Sequence, residues 1–335
     1  MDHIKGVNFG GWFVLESWMK PELFEGIHSK DETGFCNLHH DPKRALIKHW
    51  ETFITKDDFK YVKSLGLNSI RLPIPWWLEG NPPYFNSIPY IHQAMKWADE
   101  EGLSVLLDLH TAPGCQNGFD NGGIEGVINW HLAQKNIDLT INRLLFIVDE
   151  FSNHPSFFGI ELLNEPHFLT DLTIIQDFYQ NAYRELRKKT NKLIVFHDAF
   201  RPKDPSWEVF FKQKQMKNVA FDLHLYHCFD EELINGSFLD HLNVILNVRI
   251  PLILKLSKIT QVIIGEWSLG VRFASMKKDE HFDEKLYTKI LADLQLYAYQ
   301  MGYGYYFWNY KIENSERLHW DLKRLVKESI LPGKF

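Results

Sequence analysis

Eight short apolar segments, separated by helical patterns, constrain the fold more than any other feature of this sequence. Each is bounded by turn residues and has the continuous apolar character of a strand buried on both faces. They read IKGVNFGG, NSIRLPI, SVLLDLH, FFGIELLN, KLIVFHDAF, VAFDLHLY, QVIIGEWS and GYGYYFWNYK. Helical patterns such as PYIHQAMKWADEEG lie between them, and several end in Gly as helices do. Strands and helices in strict alternation predict parallel strands joined by right-handed crossovers.

Eight such units predict an α/β protein whose strands close into a (β/α)8 TIM barrel. The alternative is an open, doubly wound sheet, but the first strand is followed by NFGGW, which does not match a Gly-rich phosphate-binding fingerprint. A chain of 335 residues has the length of a single barrel domain. Because it contains no linker, repeat or low-complexity segment, we expect one domain over residues 1–335.

Composition and charge exclude several classes of function. The net charge is -6, with 37 basic and 43 acidic residues and no block of like charge, so a nucleic-acid partner is not expected. No apolar run reaches the length of a membrane span, and no membrane partner is expected. The three cysteines are widely spaced and predict neither a disulfide framework nor a zinc site. The first residues do not resemble a signal peptide, so we expect a cytoplasmic protein, or a secreted one if a leader has been removed.

Polar or aromatic side chains follow all eight predicted strands. In a barrel of parallel strands the active site lies at the carboxyl ends of the strands, so these side chains are expected to converge on one cleft. The residues at these ends are Asn8 and Glu16, Arg71, Asp108 and His110, Asn164 and Glu165, His197 and Asp198, His224 and Tyr226, Glu266 and Trp267, and Trp308 and Asn309. Asp108 shares a strand face with His110, and we expect it to support that histidine.

Glu165 and Glu266 are each the terminal acid of an apolar strand, three strands apart around the ring. Apolar surroundings favour the neutral form of a carboxyl group, which predicts that Glu165 is a proton donor. Arg71 and Tyr226 are candidates to hold Glu266 ionised. Two carboxyl groups facing each other across an aromatic-rich cleft are what cleavage of a glycosidic bond requires.

Seven ordered segments resemble glycoside hydrolase family 5, and among its members the exo-β-1,3-glucanases most. They are GVNFGGWFVLE, SIRLPI, LDLHTAPGCQNGFDN, GIELLNEP, HLYHCF, GEWS and YFWNYK, and together they extend over almost the whole chain. The resemblance implies a retaining double displacement with Glu165 as acid/base and Glu266 as nucleophile. A retaining pair of carboxyl groups is expected to be ~5 to 5.5 Å apart.

The resemblance also implies which residues bind the substrate. In the first sugar subsite these are Glu16, Arg71, His110, Asn164, His224, Tyr226 and Trp308. Phe119 and Phe229 match an aromatic clamp at the cleft entrance. No cofactor and no metal are implied, and the expected substrate is a β-1,3-glucan or a gluco-oligosaccharide.

Two alternatives remain open at this point. The same chemistry serves β-glucosidases and endo-acting glucanases or mannanases of β-1,4 or β-1,6 linkage. The same barrel can also carry an inactive carbohydrate-binding protein, because a fold does not determine a function.

Overall fold

Eight parallel strands close into a barrel in this computed structural model, which describes residues 3–230, 233–274, 276–278 and 281–335. Each strand pairs with the next in the sequence, and the last pairs with the first. The strands are β1 (Ile4–Asn8), β2 (Ser69–Ile74), β3 (Ser104–Leu109), β4 (Phe157–Glu161), β5 (Leu193–His197), β6 (Val219–His224), β7 (Gln261–Trp267) and β8 (Gly304–Phe307). The predicted TIM barrel is therefore confirmed.

Eleven α-helices surround the barrel in the part of the chain that the structure describes. They are α1 (Glu32–Leu38), α2 (Pro42–Thr52), α3 (Lys56–Ser64), α4 (Ile88–Glu101), α5 (Gln134–Phe151), α6 (Leu172–Leu186), α7 (Ser206–Lys214), α8 (Phe238–Val244), α9 (Ile250–Leu256), α10 (Glu284–Tyr299) and α11 (Leu322–Lys327). Local sequence defines several of their ends: Asp41 and Ser237 cap α2 and α8 with their side chains, and Gly102 ends α4 with a φ of 61°. None of the described helices has the length and apolar character that crossing a bilayer requires.

The interior of the barrel changes from apolar to polar along the strands. One buried cluster fills the end where the strands begin, with Ile4, Leu106, Phe158, Leu193, Val195, Ala220, Ile263 and Tyr306 among its members. Farther along the strands, Arg71, Asp108, Glu161 and Asp222 are completely buried. Buried charges of this kind must be paired or hydrogen-bonded, so this polar layer is where the structure organises its chemistry.

Strand β4 is shorter than the apolar run predicted. It ends at Glu161, although the backbone N–H groups of Leu162 and Asn164 still donate to the carbonyls of Val195 in β5 and Leu109 in β3. Glu165 has a φ of 46°, in the left-handed region that side-chain-bearing residues seldom occupy. Backbone outliers of this kind concentrate at functional sites, and here the outlier carries one of the two predicted acids.

Candidate active site

The two predicted acids meet at one histidine. His224 Nδ1 lies 2.7 Å from Glu165 Oε1 and 3.4 Å from Glu266 Oε2. Because both oxygens are this close to one nitrogen, they are nearer to each other than the ~6.5 to 9.5 Å that separates an inverting pair. The predicted separation of ~5 to 5.5 Å between the carboxyl groups is compatible with this contact.

Irregular strand pairing places this histidine beside Glu266. The register between β6 and β7 shifts between Asp222 and His224, so that His224 pairs with Glu266. A second shift lies between Ile264 and Trp267, where β7 pairs with β8. Bulges are frequent next to active sites because they change where a side chain points. Here they surround the position of Glu266.

Glu266 is held through both carboxylate oxygens by Arg71 and Tyr226, the two residues expected to keep it ionised. Arg71 Nη1 donates to Oε1 at 2.9 Å, and the Tyr226 hydroxyl donates to Oε2 at 2.7 Å. Burial nevertheless raises the pKa of Glu266, and repulsion from Glu165 adds to this, while His224 and Arg71 act in the opposite direction. The two donors leave this carboxylate little freedom to rotate.

Glu165 does not have the raised pKa that its apolar approach predicts. Burial does act to raise it, but hydrogen bonds from His224 and from Asn121 Nδ2, the latter 2.9 Å from Oε2, outweigh burial and lower the pKa of Glu165. The expectation that apolar surroundings keep this acid neutral is therefore wrong. That expectation rested on the apolar residues near the strand end. It did not include the hydrogen-bond donors His224 and Asn121, which come from distant segments of the chain.

The pKa of His224 is shifted in the direction opposite to that of Glu165. Burial would lower its pKa, but the charges of Glu266 and Asp222 and the hydrogen bond to Glu165 raise it well above its usual value. His224, Glu165 and Glu266 thus titrate as one interacting group, and a proton in this group belongs to the cluster rather than to one residue.

Arg71 joins Glu266 to the floor of the barrel and is itself fully buried. Besides Glu266, it donates from Nε to Glu161, from Nη1 to Asn8, and from Nη2 to Asn164. Asp108 Oδ2 lies 3.2 Å from Nη2. The rigid guanidinium fork suits this multiple role, which a lysine could not fill.

His110 and Trp308 lie side by side in the same cleft. Their rings are parallel within 7°, with centroids 5.6 Å apart, and His110 Nδ1 donates to Asp108 at 2.6 Å. The predicted support of His110 by Asp108 is confirmed. The hydrogen bond fixes the ring so that Nε2 remains for another partner.

Glu16 faces the acids from the loop after β1. Burial raises its pKa well above the usual value, repulsion from Asp120 adds to this, and Trp18 Nε1 donates to Oε2 at 2.8 Å. A glutamate that carries a proton can donate a hydrogen bond as well as accept one. Such a group suits a sugar hydroxyl, which does both.

Several buried polar atoms of these residues have no hydrogen-bond partner within the described ranges. Three of them are Glu16 Oε1, His110 Nε2 and Asn164 Nδ2. Buried polar atoms are nearly always satisfied in native proteins, by protein, water or ligand. Unused capacity on three residues predicted to bind one sugar ring is consistent with that prediction.

Phe119 and Phe229 differ in their surroundings, although both rings are partly exposed, at 37% and 71%. The Phe119 ring lies 6.5 Å from that of Phe200, in a T-shaped arrangement. The Phe229 ring lies 5.4 Å from that of Tyr226, the residue that holds Glu266. Phe229 therefore contacts a residue that binds the predicted nucleophile.

Not every polar strand end belongs to the cleft. Asn309 forms two hydrogen bonds with the backbone of Gly10, and Asn8 Nδ2 donates to the carbonyl of Gly265. These amides tie the ends of β8, β1 and β7 together. A polar residue at a strand end is thus predicted to lie near the cleft. Its type does not tell whether it binds substrate or hydrogen-bonds to neighbouring backbone.

Four residues of the site were missed by sequence reasoning. Asn121 donates to Glu165, Gln116 Nε2 donates to the carbonyls of His110 and Asn164, and Glu161 and Asp222 lie beneath the acids. Asp222 could have been found, because it stands two residues before His224, as Asp108 stands before His110. Asn121 and Gln116 lie in a loop whose path has no periodic pattern.

Two groups of described residues have ligand atoms close enough for a metal ion. The first is Glu165 with His197 and His224, and the second is Glu161 with Asp222 and His224. In each group, one ligand atom from every residue lies within 4.8 Å of the others. Both groups depend on His224, which is already engaged with Glu165. Cleavage by two carboxyl groups needs no metal.

Comparison with known families and proteins agrees with this geometry. The model of the cellulase family, glycosyl hydrolase family 5, matches residues 33–314. A probable glucan 1,3-beta-glucosidase A of Aspergillus niger is 30% identical over 98% of this chain and 87% of its own length. The glucan 1,3-beta-glucosidase of Schwanniomyces occidentalis is 32% identical over 99% of this chain and 88% of its own length.

Solved structures show the same fold at lower sequence identity. A rutinosidase from Aspergillus niger has a TM-score of 0.82 and 18% identity, covering 98% of this chain and 97% of its own. An endogalactoceramidase has a TM-score of 0.59 and 17% identity, covering 98% of this chain and 74% of its own. At these identities the likeness concerns the barrel and its helices alone.

Proposed function

Because the chain belongs to the cellulase family, glycosyl hydrolase family 5, and is a glycoside hydrolase, we propose that it is a retaining, exo-acting β-1,3-glucosidase. The observation that carries the mechanism is the contact of His224 with both Glu165 and Glu266. The linkage rests on the relatives named glucan 1,3-beta-glucosidases that cover nearly the whole chain. The substrate is a β-1,3-glucan or a short gluco-oligosaccharide.

In the first step, Glu266 attacks the anomeric carbon and Glu165 gives a proton to the leaving oxygen. Arg71 and Tyr226 orient the attacking carboxylate. The bond to the leaving sugar breaks as the bond to Glu266 forms, and the product is a covalent glycosyl enzyme.

In the second step, Glu165, now ionised, takes a proton from a water molecule that attacks the same carbon. The carboxylate of Glu266 is released, and the sugar leaves with its original configuration. Glu165 thus acts as acid and then as base, and it regains in the second step the proton lost in the first.

The proton for the first step is held by the cluster of Glu165, His224 and Glu266. In the absence of substrate, the hydrogen bond between His224 and Glu165 favours the ionised acid. A sugar oxygen placed against Glu165 provides a basic partner to which the shared proton can move. His224 therefore supplies Glu165 with a proton that burial alone does not provide.

The first prediction concerns the configuration of the product. We expect proton NMR of early hydrolysis of a β-linked glucose oligomer to show the β-anomer of glucose first, with the α-anomer appearing only as mutarotation proceeds. The reason is that two inversions at one carbon restore its configuration. An α-anomer as the first product would exclude the covalent mechanism.

The second prediction concerns the clamp proposed for Phe119 and Phe229. Each ring would stack on the sugar on the leaving-group side, worth ~0.5 to 1.5 kcal/mol by analogy with aromatic pairs. We expect Phe119→Ala and Phe229→Ala each to lower kcat/KM for β-1,3-linked oligomers several-fold. Turnover of a nitrophenyl β-glucoside, which has no second sugar, is expected to fall less.

Tyr297→Ala provides a matched control for these variants. Tyr297 is an aromatic residue, 60% exposed, in α10, outside the proposed cleft. The Tyr297→Ala variant is expected to turn over both substrates at the wild-type rate.

Equal losses of activity on the oligomer and on the nitrophenyl glucoside in the Phe variants would exclude a role on the leaving-group side. A ladder of mid-length products from a long glucan, in place of steady glucose release, would contradict exo action.

A further inference from the structure

Three carboxyl groups surround Arg71 beneath the proposed reaction centre. Asp108 of β3, Glu161 of β4 and Asp222 of β6 all have no exposed surface. Glu161 accepts from Arg71 Nε at 2.8 Å, and Asp108 lies 3.2 Å from Nη2. With Glu266 also bound to this guanidinium, one fixed positive charge faces more carboxyl groups than it can neutralise if all are ionised.

Besides Asp108 Oδ1, two oxygens of this layer lack a partner in the described part of the chain, Glu161 Oε1 and Asp222 Oδ2. One carboxyl oxygen of each residue and one ring nitrogen of His224 lie within 4.8 Å of one another. Two ionised carboxylates that face each other this closely in the barrel interior would repel strongly. One proton between them removes the repulsion and supplies the missing hydrogen bond.

The neighbours of the two acids indicate which one holds the proton. Asp222 Oδ1 accepts the backbone N–H of Gly265, and Oδ2 lies 3.3 Å from His224 Nε2. The N–H of Gly265 and the nearby ring nitrogen of His224 make Asp222 the acceptor of this pair. Burial, reinforced by the charges of Asp222 and Asp108, raises the pKa of Glu161 well above its usual value although Arg71 opposes it.

We propose that Glu161 is a positioning residue that stays protonated in the folded protein, donates a hydrogen bond to Asp222 and accepts one from Arg71. This inference rests on the proposed function, because the groups it positions are the proposed acid and nucleophile. A neutral Glu161 fixes the orientation of Arg71 without competing with Glu266 for its charge. Asp222, relieved of repulsion, accepts this hydrogen bond beneath His224.

The consequence for His224 is a defined direction for its second N–H. Asp222 Oδ2, 3.3 Å from Nε2, favours a proton on that nitrogen, and the proton on Nδ1 then faces Glu165 at 2.7 Å. Among the titratable groups that face Glu161 are Arg71, Asp108, Asp222 and His224, together with the more distant Glu266 and the hydroxyls of Tyr179 and Tyr306. Protonation of Glu161 therefore connects the floor of the barrel with the proposed acid.

The test compares Glu161→Ala, Glu161→Gln and Asp108→Asn in kcat/KM against pH on a nitrophenyl β-glucoside. Ala removes a partner from both Arg71 and Asp222, and we expect activity to fall ~10- to 100-fold through misplacement of Arg71. Glu161→Gln reproduces the protonated acid, with its oxygen facing Arg71 and its NH2 facing Asp222. It is expected to have most of the activity that Glu161→Ala loses, with the wild-type pH profile.

Asp108→Asn is the matched control, because Asp108 accepts from His110 and its Oδ2 lies 3.2 Å from Arg71 Nη2. Its amide replacement is expected to lower activity at least tenfold and to change the pH profile. If Glu161→Gln lost as much activity as Asp108→Asn and changed the profile in the same way, Glu161 would be an ionised partner of Arg71 and the proposal would be wrong.

Infrared spectroscopy gives a second readout that does not depend on any substrate. At pH 8 the wild-type protein is expected to show the C=O stretch of neutral carboxyl groups, part of which disappears in Glu161→Gln. If the proposed glucosidase activity were not found, this difference would still decide the state of Glu161. Absence of any neutral-carboxyl band in the wild type at pH 8 would overturn the proposal even if the variants failed to fold.

Discussion

Replacement of Glu266 by Ala is expected to abolish turnover of every β-glucoside, whereas Glu165→Ala retains activity on substrates whose leaving group needs no proton. The first change removes the atom that forms the covalent bond. The second removes general acid catalysis, worth ~10²- to 10⁴-fold, but an acidic leaving group such as dinitrophenolate departs unaided. The measurement is kcat/KM for a dinitrophenyl and an alkyl β-glucoside with each variant.

Added azide distinguishes the two roles. In Glu165→Ala the glycosyl enzyme accumulates because no base activates water, and azide, which needs no base, is expected to restore turnover and give a β-glucosyl azide. Azide acting on Glu266→Ala would instead attack the sugar directly and give the α-product. If azide restored only Glu266→Ala, with inverted product, the two roles would be exchanged.

Glu185→Ala serves as the control for these variants. Glu185 lies on the surface of α6 and pairs with Lys188 at 2.7 Å. Its replacement is expected to leave turnover of both glucosides unchanged. A comparable loss of activity there would indicate that the assay reports stability rather than catalysis.

The barrel could be predicted from the sequence because its evidence is local and repeated eight times. A buried strand reads as an apolar run wherever it occurs, and strict alternation with helices leaves few topologies. Strand ends were less certain: β4 ends at Glu161, although the apolar run continues through Leu162 and Leu163. Those two leucines lie outside the strand and are completely buried. An apolar run predicts that its residues are buried, but not where the strand ends.

The proposed acids were also accessible to sequence reasoning, because a strand end is a position in the fold. The protonation of Glu165 could not be predicted in the same way. It depends on Asn121, 44 residues before Glu165, and on His224, 59 residues after it. A hydrogen bond between such distant segments leaves no periodic pattern, and a hydrogen bond to a carboxylate can outweigh its burial. The reversed pKa direction at Glu165 is therefore a property of the tertiary structure.

The polar layer below the acids shows the same limit. Glu161 occurs within an apolar run and reads as an interruption of it, whereas in the structure it binds Arg71 from a strand two positions away. Sequence spacing predicts that Asp222 and His224 share a strand face. It does not predict that Glu161, Asp222 and Asp108 surround one guanidinium, because this depends on the stagger of neighbouring strands.

Replacement of Arg71 by Met is expected to have the largest effect on stability. Removing one partner of a buried ion pair typically costs ~3–5 kcal/mol, because the remaining charges lose their compensation. Here Glu266 and Asp108 would both lose it, together with the hydrogen bonds to Asn8 and Asn164. Urea unfolding of the variant beside the wild type measures this loss, and Arg184→Met on the exposed face of α6 is the control, expected to change little.

The activity of Arg71→Met is expected to fall with a characteristic pH dependence. Arg71 lowers the pKa of Glu266, so its removal raises a pKa that burial already raises. The proposed nucleophile reacts only when ionised, so the acid limb of the kcat/KM profile is expected to move to higher pH. Arg71→Lys, which keeps the charge but not the planar fork, is expected to move this limb less while still lowering kcat. An acid limb that stayed in place in Arg71→Met would show that Arg71 does not act on the ionisation of Glu266.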